Sequence, residues 1–246
     1  MEEFDGHLIF ADGSSLGNPG PGGWGTVLVL NKSHVIELGA GVTHTTNNRM
    51  ELTGLIEGLK RLAQELGDLT ILTDSKYAHK GATEWAEGWK KRNWMTMAKT
   101  EVENRDLWEQ ILSLLESRKK FGHIFWRHVP GHSGIAGNER CDEIATGYAR
   151  EDEPGLFDGD IADYAIDILN ISVDDEQLKK RSEAKAHARI KAYSYLSLVA
   201  GVAKRHLTWA ECEARVKGKS GVKYKKAISP EDERRILAQW GVQKLG

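Results

Sequence analysis

Four acids occupy positions where a carboxylate could do chemistry. Asp12 closes the apolar run His7–Asp12 and precedes Gly13, and Asp74 follows a second apolar run, Leu69–Thr73, and precedes Ser75. Glu51 falls in the first turn of a helix whose apolar residues (Leu52, Leu55, Ile56, Leu59, Leu62, Ala63, Leu66) recur at i, i+3, i+4 spacing. Asp142 falls in the first turns of a helix over Asn138–Arg150. If the two apolar runs pair as strands, Asp12 and Asp74 end side by side. Helix starts over the same sheet end then bring Glu51 and Asp142 to them. Four carboxylates at one edge repel unless cations neutralise them. Hard divalent cations such as Mg²⁺ bind few carboxylates and keep waters for substrate phosphates. Such a cluster is the raw material of a two-metal phosphodiester site, in which the ions hold the attacking and leaving oxygens. Singly, each acid has a plainer reading. Asp-Gly and Asp-Ser favour turns, Glu51 three residues after Asn48 suits a capping box, and Asp142 suits a helix N-terminus. Metal chemistry needs all four together.

The elements that must position these acids follow from periodicity. His7–Asp12, Trp24–Leu30 and Val35–Val42 read as strands, the last two joined by the hairpin connection Asn31-Lys32-Ser33. The long helix follows, ended by Gly67 as a C-cap. Leu69–Thr73 reads as a buried central strand. Helical segments cover 75–92 and 105–119, His123–Val129 is a strand, and Asn138–Arg150 is a helix. The order βββ, α, β, αα, β, α implies an α/β fold, a mixed sheet with helices packed on it. The Gly17–Gly25 run precedes a strand rather than a helix, which rejects a dinucleotide loop. His128 and His132 are four apart, but Pro130 and Gly131 between them break any helix, so a zinc pair is excluded.

Five segments carry a resemblance: FADGSSLGNPGPGGWG, TTNNRMEL, LTDSKY, WAEGWKKRNW and HVPGHSGIAGNERCDEIA. In this order and spacing they resemble type-1 ribonuclease H of the bacterial HI kind, over residues 7 to 150. The resemblance implies a five-stranded mixed sheet flanked by helices. It implies endonucleolytic cleavage of the RNA strand of RNA–DNA hybrids with two Mg²⁺ ions, Mn²⁺ substituting, to leave 5′-phosphate and 3′-hydroxyl ends. Asp12, Glu51, Asp74 and Asp142 match the family's metal-binding acids, with Asp12 bridging both ions. His132 matches the histidine that assists proton transfer or product release. Asn18, Asn47 and Asn48 match the groups that sense the RNA 2′-hydroxyl. Thr46 and Asn104 match a pocket for a DNA-strand phosphate, and Trp85 and Trp89 an aromatic channel under the deoxyribose backbone. Trp85, Trp89 and Trp94 interleave with Lys90-Lys91-Arg92, a nucleic-acid signature; by periodicity alone, Trp85 and Trp89 are equally core residues. Two other readings stand beside this one: a hybrid-binding protein without chemistry, and a related nuclease acting on double-stranded RNA.

Charge divides the rest of the chain. Among 246 residues, 34 basic and 36 acidic side chains give a net charge of −2. Yet residues 151–176 hold ten acids and no Lys or Arg, while 177–226 hold fourteen basic and three acidic residues. The acid run suggests a linker, and 151–190 is expected to join a catalytic domain over 1–150 to a small module over 191–246. In that module Trp209–Val216 reads as a helix, Val222–Ala227 as a strand and Glu231–Trp240 as a helix after Ser229-Pro230. It resembles the ββαβα hybrid-binding domain that accompanies some type-1 ribonucleases H, although Ala227 replaces the usual aromatic after the lysine pair. The match implies that Trp209 and Tyr224 contact a DNA strand while Lys225 and Lys226 hold phosphates, with Tyr195 a further candidate. Two widely spaced cysteines exclude a disulfide framework, no run approaches a membrane span, and the acidic start lacks a signal-peptide layout. The expectation is a cytoplasmic monomer whose partner is an RNA–DNA hybrid, with no membrane and no obligate protein partner.

Overall fold

The apolar runs form the strands that their patterns predict. In the computed structural model, which describes residues 6–131, 133–172 and 191–242, the chain divides into two compact units, Met1–Leu178 and Lys179–Gly246. In the first unit, β1 (His7–Ser15), β2 (Gly20–Leu30) and β3 (His34–Thr45) form an antiparallel meander. Asn31 and Lys32 both take positive φ between β2 and β3, as a tight hairpin turn requires. Then come α1 (Asn47–Arg61), β4 (Leu69–Thr73), α2 (Lys76–Lys80), a π-turn (Gly81–Trp85), α3 (Ala86–Lys91), α4 (Arg105–Arg118), β5 (Ile124–His128), α5 (Ala136–Ala149) and β6 (Asp158–Asp160). The sheet order is β5-β4-β1-β2-β3-β6, with β1, β4 and β5 mutually parallel. Two apolar layers enclose the sheet. Ile9, Ile71, Leu52, Leu55, Leu59 and Trp108 pack on one face. Leu8, Phe10, Leu72, Val27 and Ile144 pack on the other.

Four expectations change. The helix expected to run to Leu66 ends at Arg61; Leu62 turns the chain, Leu66 is 75% exposed, and Gly67 lies in the following loop at φ +120°. The segment 75–92 is helical from Lys76 to Lys91 but widens into a π-turn at Gly81–Trp85, where Gly81 lies under the Trp108 ring: a Cβ there would stand 2.0 Å from the indole. The sheet gains a sixth strand. That strand comes from the segment expected to be a linker, and the first unit therefore extends beyond residue 150. β6 pairs with β3, and Phe157, Tyr164, Ile168 and Ile171 pack on the α5 side of the sheet. Repulsion among the acids does not decide this stretch, because its apolar residues recur at intervals that one face can bury. Residues 173–190, the remainder of the expected linker, lie outside the described residues.

The second unit has β7 (Ser194–Val199), β8 (Val202–His206), α6 (Trp209–Val216), β9 (Lys223–Ala227) and α7 (Pro230–Gln239). This is the ββαβα order expected, as an antiparallel sheet β8-β7-β9. Local capping sets both helices. Thr208 accepts from the Glu211 amide while Glu211 accepts from the Leu207 amide, and Ser229 accepts from the Asp232 amide ahead of Pro230. Leu196, Ala227 and Ile236 form its small core. Among the described residues, no helix is long and apolar enough to cross a membrane.

Candidate active site

The carboxylates meet because glycine lets backbones approach. The β1–β4 register runs from His7–Leu69 to Phe10–Leu72, so two residues further on Asp12 and Asp74 emerge at the same edge. Gly13 follows Asp12, and a Cβ there would stand 2.2 Å from the Glu51 amide nitrogen. Only glycine allows the first turn of α1 to lie this close to β1. Gly25 pairs with Asp12 across β1 and β2, and its Cβ would stand 2.4 Å from the Cys141 carbonyl. Here α5 rests directly on the sheet, with Asp142 the next residue along.

Hydrogen bonds hold the acids in place. The Gly13 amide donates to Asp12 Oδ1 at 2.7 Å. Glu51 is held at both oxygens: Asn47 Nδ2 donates to Oε1 at 2.9 Å, and the Ser75 hydroxyl donates to Oε2. Ser75 also accepts from the Ala78 amide as the N-cap of α2, so one hydroxyl ties that helix to the site. Glu51 is therefore not the partner of a capping box on Asn48; α1 begins at Asn47, with Thr46 as N-cap. Thr146 Oγ1 lies 3.4 Å from both Asp142 Oδ1 and Ser14 Oγ. Asp74 Oδ2 would stand 2.7 Å from a Cβ on Gly131, so the loop after β5 closes on Asp74. His132, the next residue in that loop, lies outside the described residues.

Burial and charge act together on these groups. Burial, then the charge of Asp74, then those of Asp142 and Glu51 push Asp12 up to about 8, against the opposing Gly13 amide. Burial, with Asp74, raises Glu51 against its bonds from Ser75 and Asn47. The acids are near enough to repel, yet among the described residues no three His, Cys, Asp or Glu side chains close a metal cage by themselves. An all-oxygen donor set that is partly open fits a hard divalent cation, which completes its shell with water and substrate oxygens.

Around this edge the other expected residues fall into three groups. Asn18 Oδ1 accepts from the Asn47 amide at 3.1 Å, so the loop before β2 is tied to the start of α1; Asn48 is half-buried beside it. Thr46 makes no side-chain cap bond. Asn104, at φ +57°, accepts from Arg49 Nη1 at 3.3 Å and donates to the Tyr77 hydroxyl at 3.3 Å, and Arg49 grips Asp106 with both Nη atoms. Trp85 and Trp89 are half-buried, with ring centroids 5.7 Å apart. Trp94 is 7% exposed and belongs to the core, so it does not extend that pair. Sequence reasoning missed Ser75, Arg49 and Tyr77. Ser75 had a signal in its place directly after Asp74, while the other two had none.

In the second unit, Trp209 lies 5.8 Å from Tyr195 and 5.5 Å from Tyr224 by ring centroid, and Trp209 and Tyr224 are 41% and 54% exposed. The pairing Tyr195–Lys226 and Ser197–Tyr224 puts Tyr224 and Lys226 on the face of Tyr195. Lys225 pairs with Leu196 and faces the other way. The two lysines expected to act together thus lie on opposite faces of β9.

Residues 5–150 match the family model of RNase H. The chain is 50% identical over 137 residues to a ribonuclease H of Pseudomonas savastanoi pv. phaseolicola, covering 56% of this chain and 88% of that one. It is 46% identical over 158 residues to the ribonuclease H of Shewanella amazonensis, covering 64% and 97%. Among solved structures it is similar to LC9-RNase H1, a type 1 RNase H with the type 2 active-site motif. There the TM-score is 0.53 and the identity 29%, with 63% of this chain and 78% of that chain covered. The mixed sheet, its flanking helices and these matches together define the class, a nuclease dependent on divalent metal. The chain belongs to the RNase H family, as a type-1, HI-like ribonuclease H that cuts RNA within RNA–DNA hybrids.

Proposed function

We propose that the first unit hydrolyses the RNA strand with two Mg²⁺ ions, Mn²⁺ substituting, and leaves 5′-phosphate and 3′-hydroxyl ends. The observation that carries this reading is the convergence of Asp12, Glu51, Asp74 and Asp142 from β1, α1, the end of β4 and α5. Bound ions would supply charge stabilisation for the attacking and leaving oxygens. The four acids would hold them, with Asp12 central because the other three surround it. Ser75 and Asn47 fix both oxygens of Glu51, so its carboxylate needs no reorganisation when cations arrive. His132 would take or give a proton at the scissile phosphate or speed product departure.

Asn18, Asn47 and Asn48 would read the 2′-hydroxyl that separates RNA from DNA. Thr46 and Asn104 would hold a phosphate of the DNA strand, and Trp85 and Trp89 would pack against its sugars. The second unit would be a hybrid-binding module, with Tyr195, Trp209 and Tyr224 as an aromatic platform and Lys226 beside it. Lys225 would reach phosphate only from the opposite face. A strand-labelled hybrid with Mg²⁺ tests this reading, with matched RNA–RNA and DNA–DNA duplexes in parallel. Cut RNA bearing 5′-phosphate, only in the hybrid, is the expected result. An uncut hybrid at enzyme excess, or equal cutting of RNA–RNA, would overturn it.

A further inference from the structure

Away from the carboxylate edge, β3 carries one buried acid, Glu37. Its side chain is 1% exposed, yet it is a fully partnered anion. Arg140 donates to it twice, at 2.7 and 2.9 Å. The Phe157 amide donates at 3.0 Å and the Tyr164 hydroxyl at 2.6 Å. Arg140 also donates to the Gly155 carbonyl at 2.8 Å. One carboxylate on β3 therefore joins α5 to the strand-and-turn segment 155–164.

That segment lies past residue 150, where the family match ends. It is anchored further by Phe157–Tyr164 ring contact at 4.9 Å, by Ile168 (2% exposed) and by Ile171 (5% exposed). The Ile168 Cδ1 would stand 2.8 Å from a Cβ on Gly137, in the first turn of α5. The strap thus touches α5 at two places, Gly137 and Arg140.

Arg140 and Asp142 are two residues apart on α5, about 200° around the helix, so they point to opposite flanks. One flank is pinned by Glu37 and the other carries the acid to Asp12. Because a side-chain tip lies about 5–6 Å from a helix axis, a 10° roll of α5 moves it about 1 Å. A shift of that size is enough to spoil a catalytic constellation. Gly25 and Gly23 leave α5 seated on bare backbone, with no interlocking side chain at those points to resist a roll.

We propose that Glu37, Arg140 and Tyr164 are positioning residues: through them the strap segment 155–164 fixes the roll of α5 and hence the placement of Asp142 at the metal site. The inference rests on the reading of Asp142 as a metal ligand, and its test separates the two. The full chain is titrated with Mn²⁺, following bound ion by electron paramagnetic resonance without substrate, and the Mg²⁺ dependence of cleavage and the melting temperature are measured alongside. Arg140→Lys keeps the charge but loses the two-pronged grip, and Tyr164→Phe removes one hydrogen bond at nearly constant volume. Ile171→Val thins the strap core without touching the Glu37 group and serves as the stability control.

Arg140→Lys is expected to weaken Mn²⁺ binding by about threefold to tenfold, below the ~10–100-fold of a partner bonded directly to a ligand. The half-saturating Mg²⁺ concentration should rise by a similar factor and by more than kcat at saturating metal falls. Tyr164→Phe should shift both in the same direction by a smaller factor, and Ile171→Val should lower only the melting temperature. If Arg140→Lys and Tyr164→Phe lower the melting temperature like Ile171→Val and leave Mn²⁺ binding unmoved, the group is merely structural and the proposal fails. If Asp142→Asn itself leaves Mn²⁺ binding unmoved, the reading of Asp142 fails instead.

Discussion

The carboxylate edge of the first unit and the aromatic face of the second solve different problems with different materials. The edge gathers four like charges from four elements distant in sequence, and each is held by backbone approach or by hydrogen bonds. The aromatic face gathers three rings within thirty residues, on two strands and one capped helix, and leaves two of them largely exposed. Chemistry at a phosphodiester needs placement to a fraction of an ångström. Grip on a polymer needs area and charge, and tolerates looser geometry. A charge cluster that repels itself must be enforced by the whole fold, whereas an aromatic row forms wherever a small sheet brings rings together.

The first way to break this comparison is Asp12→Asn. Cleavage should fall by about a thousandfold or more, the loss of ~4 kcal/mol of transition-state stabilisation. Hybrid binding measured by anisotropy should persist; if both vanish, the edge serves grip as well as chemistry. Gly13→Ala comes next. Its Cβ would meet the Glu51 amide, so α1 must shift. Overpacking of this kind costs about 1–3 kcal/mol, which in a unit of this size lowers the melting temperature by roughly 3–10 °C. Activity should drop further than stability alone explains, as kcat at a temperature well below melting would show.

Trp209→Ala tests the other side. Stacking is worth about 1–3 kcal/mol per base, so KM for hybrid should rise roughly tenfold or more, with the loss largely recovered at saturating substrate. A fall in kcat alone would mean that the second unit supports catalysis rather than grip. Smaller still is the contrast between adjacent lysines. Lys226→Ala should reduce the slope of log affinity against log salt by about one, and Lys225→Ala by less, because only Lys226 shares the face of Tyr224. Equal effects would show that the face argument does not govern phosphate contact.

Acid should separate the units as well. Burial, then Arg215 and Lys204, hold His206 below its ordinary value, with Glu211 opposing them. Its Nε2 lies 2.8 Å from the Ser197 hydroxyl. A histidine with a lowered folded value contributes stability that is present above its unfolded pKa and is lost as pH falls through about 6.5. Glu37 is held low by hydrogen bonds from Arg140, Tyr164 and Phe157, which outweigh its burial, so its contribution to the first unit survives until pH falls below the ordinary carboxylate value. Protection factors, which correct exchange for its own slowing in acid, should therefore fall in β7 and β8 between about pH 7 and about pH 5.5, and His206→Asn should flatten that dependence.

Much of this was legible in the residues. The second unit was read almost element by element, because its helices carry their own caps and its strands are close neighbours in sequence. The four acids were legible by their order along the chain, although Asp12 lies inside β1 rather than at its end and Glu51 lies past the first turn of α1. The segment 151–172 was not, because the ten acids and absent Lys and Arg of 151–176 dominate any compositional reading, whereas the apolar residues that anchor it count only once a sheet face is there to bury them. The π-turn at Gly81 was hidden too, since the ring that packs on that glycine, Trp108, comes 27 residues later. The opposed faces of Lys225 and Lys226 could have been read from the strand alone, since side chains alternate along it.

By itself, the sequence determined which residues could carry charge, stack on a base or end an element. Those properties reside in side-chain type and short-range spacing. Only the tertiary structure decided that Ser75 clamps Glu51, that Arg49 and Tyr77 hold Asn104, and that an acidic strap grips α5 through Glu37. Such bonds span dozens of residues and leave no periodic trace. They are favoured because a buried polar group left without a partner costs about 1–3 kcal/mol, a penalty that only a partner brought in by the fold removes.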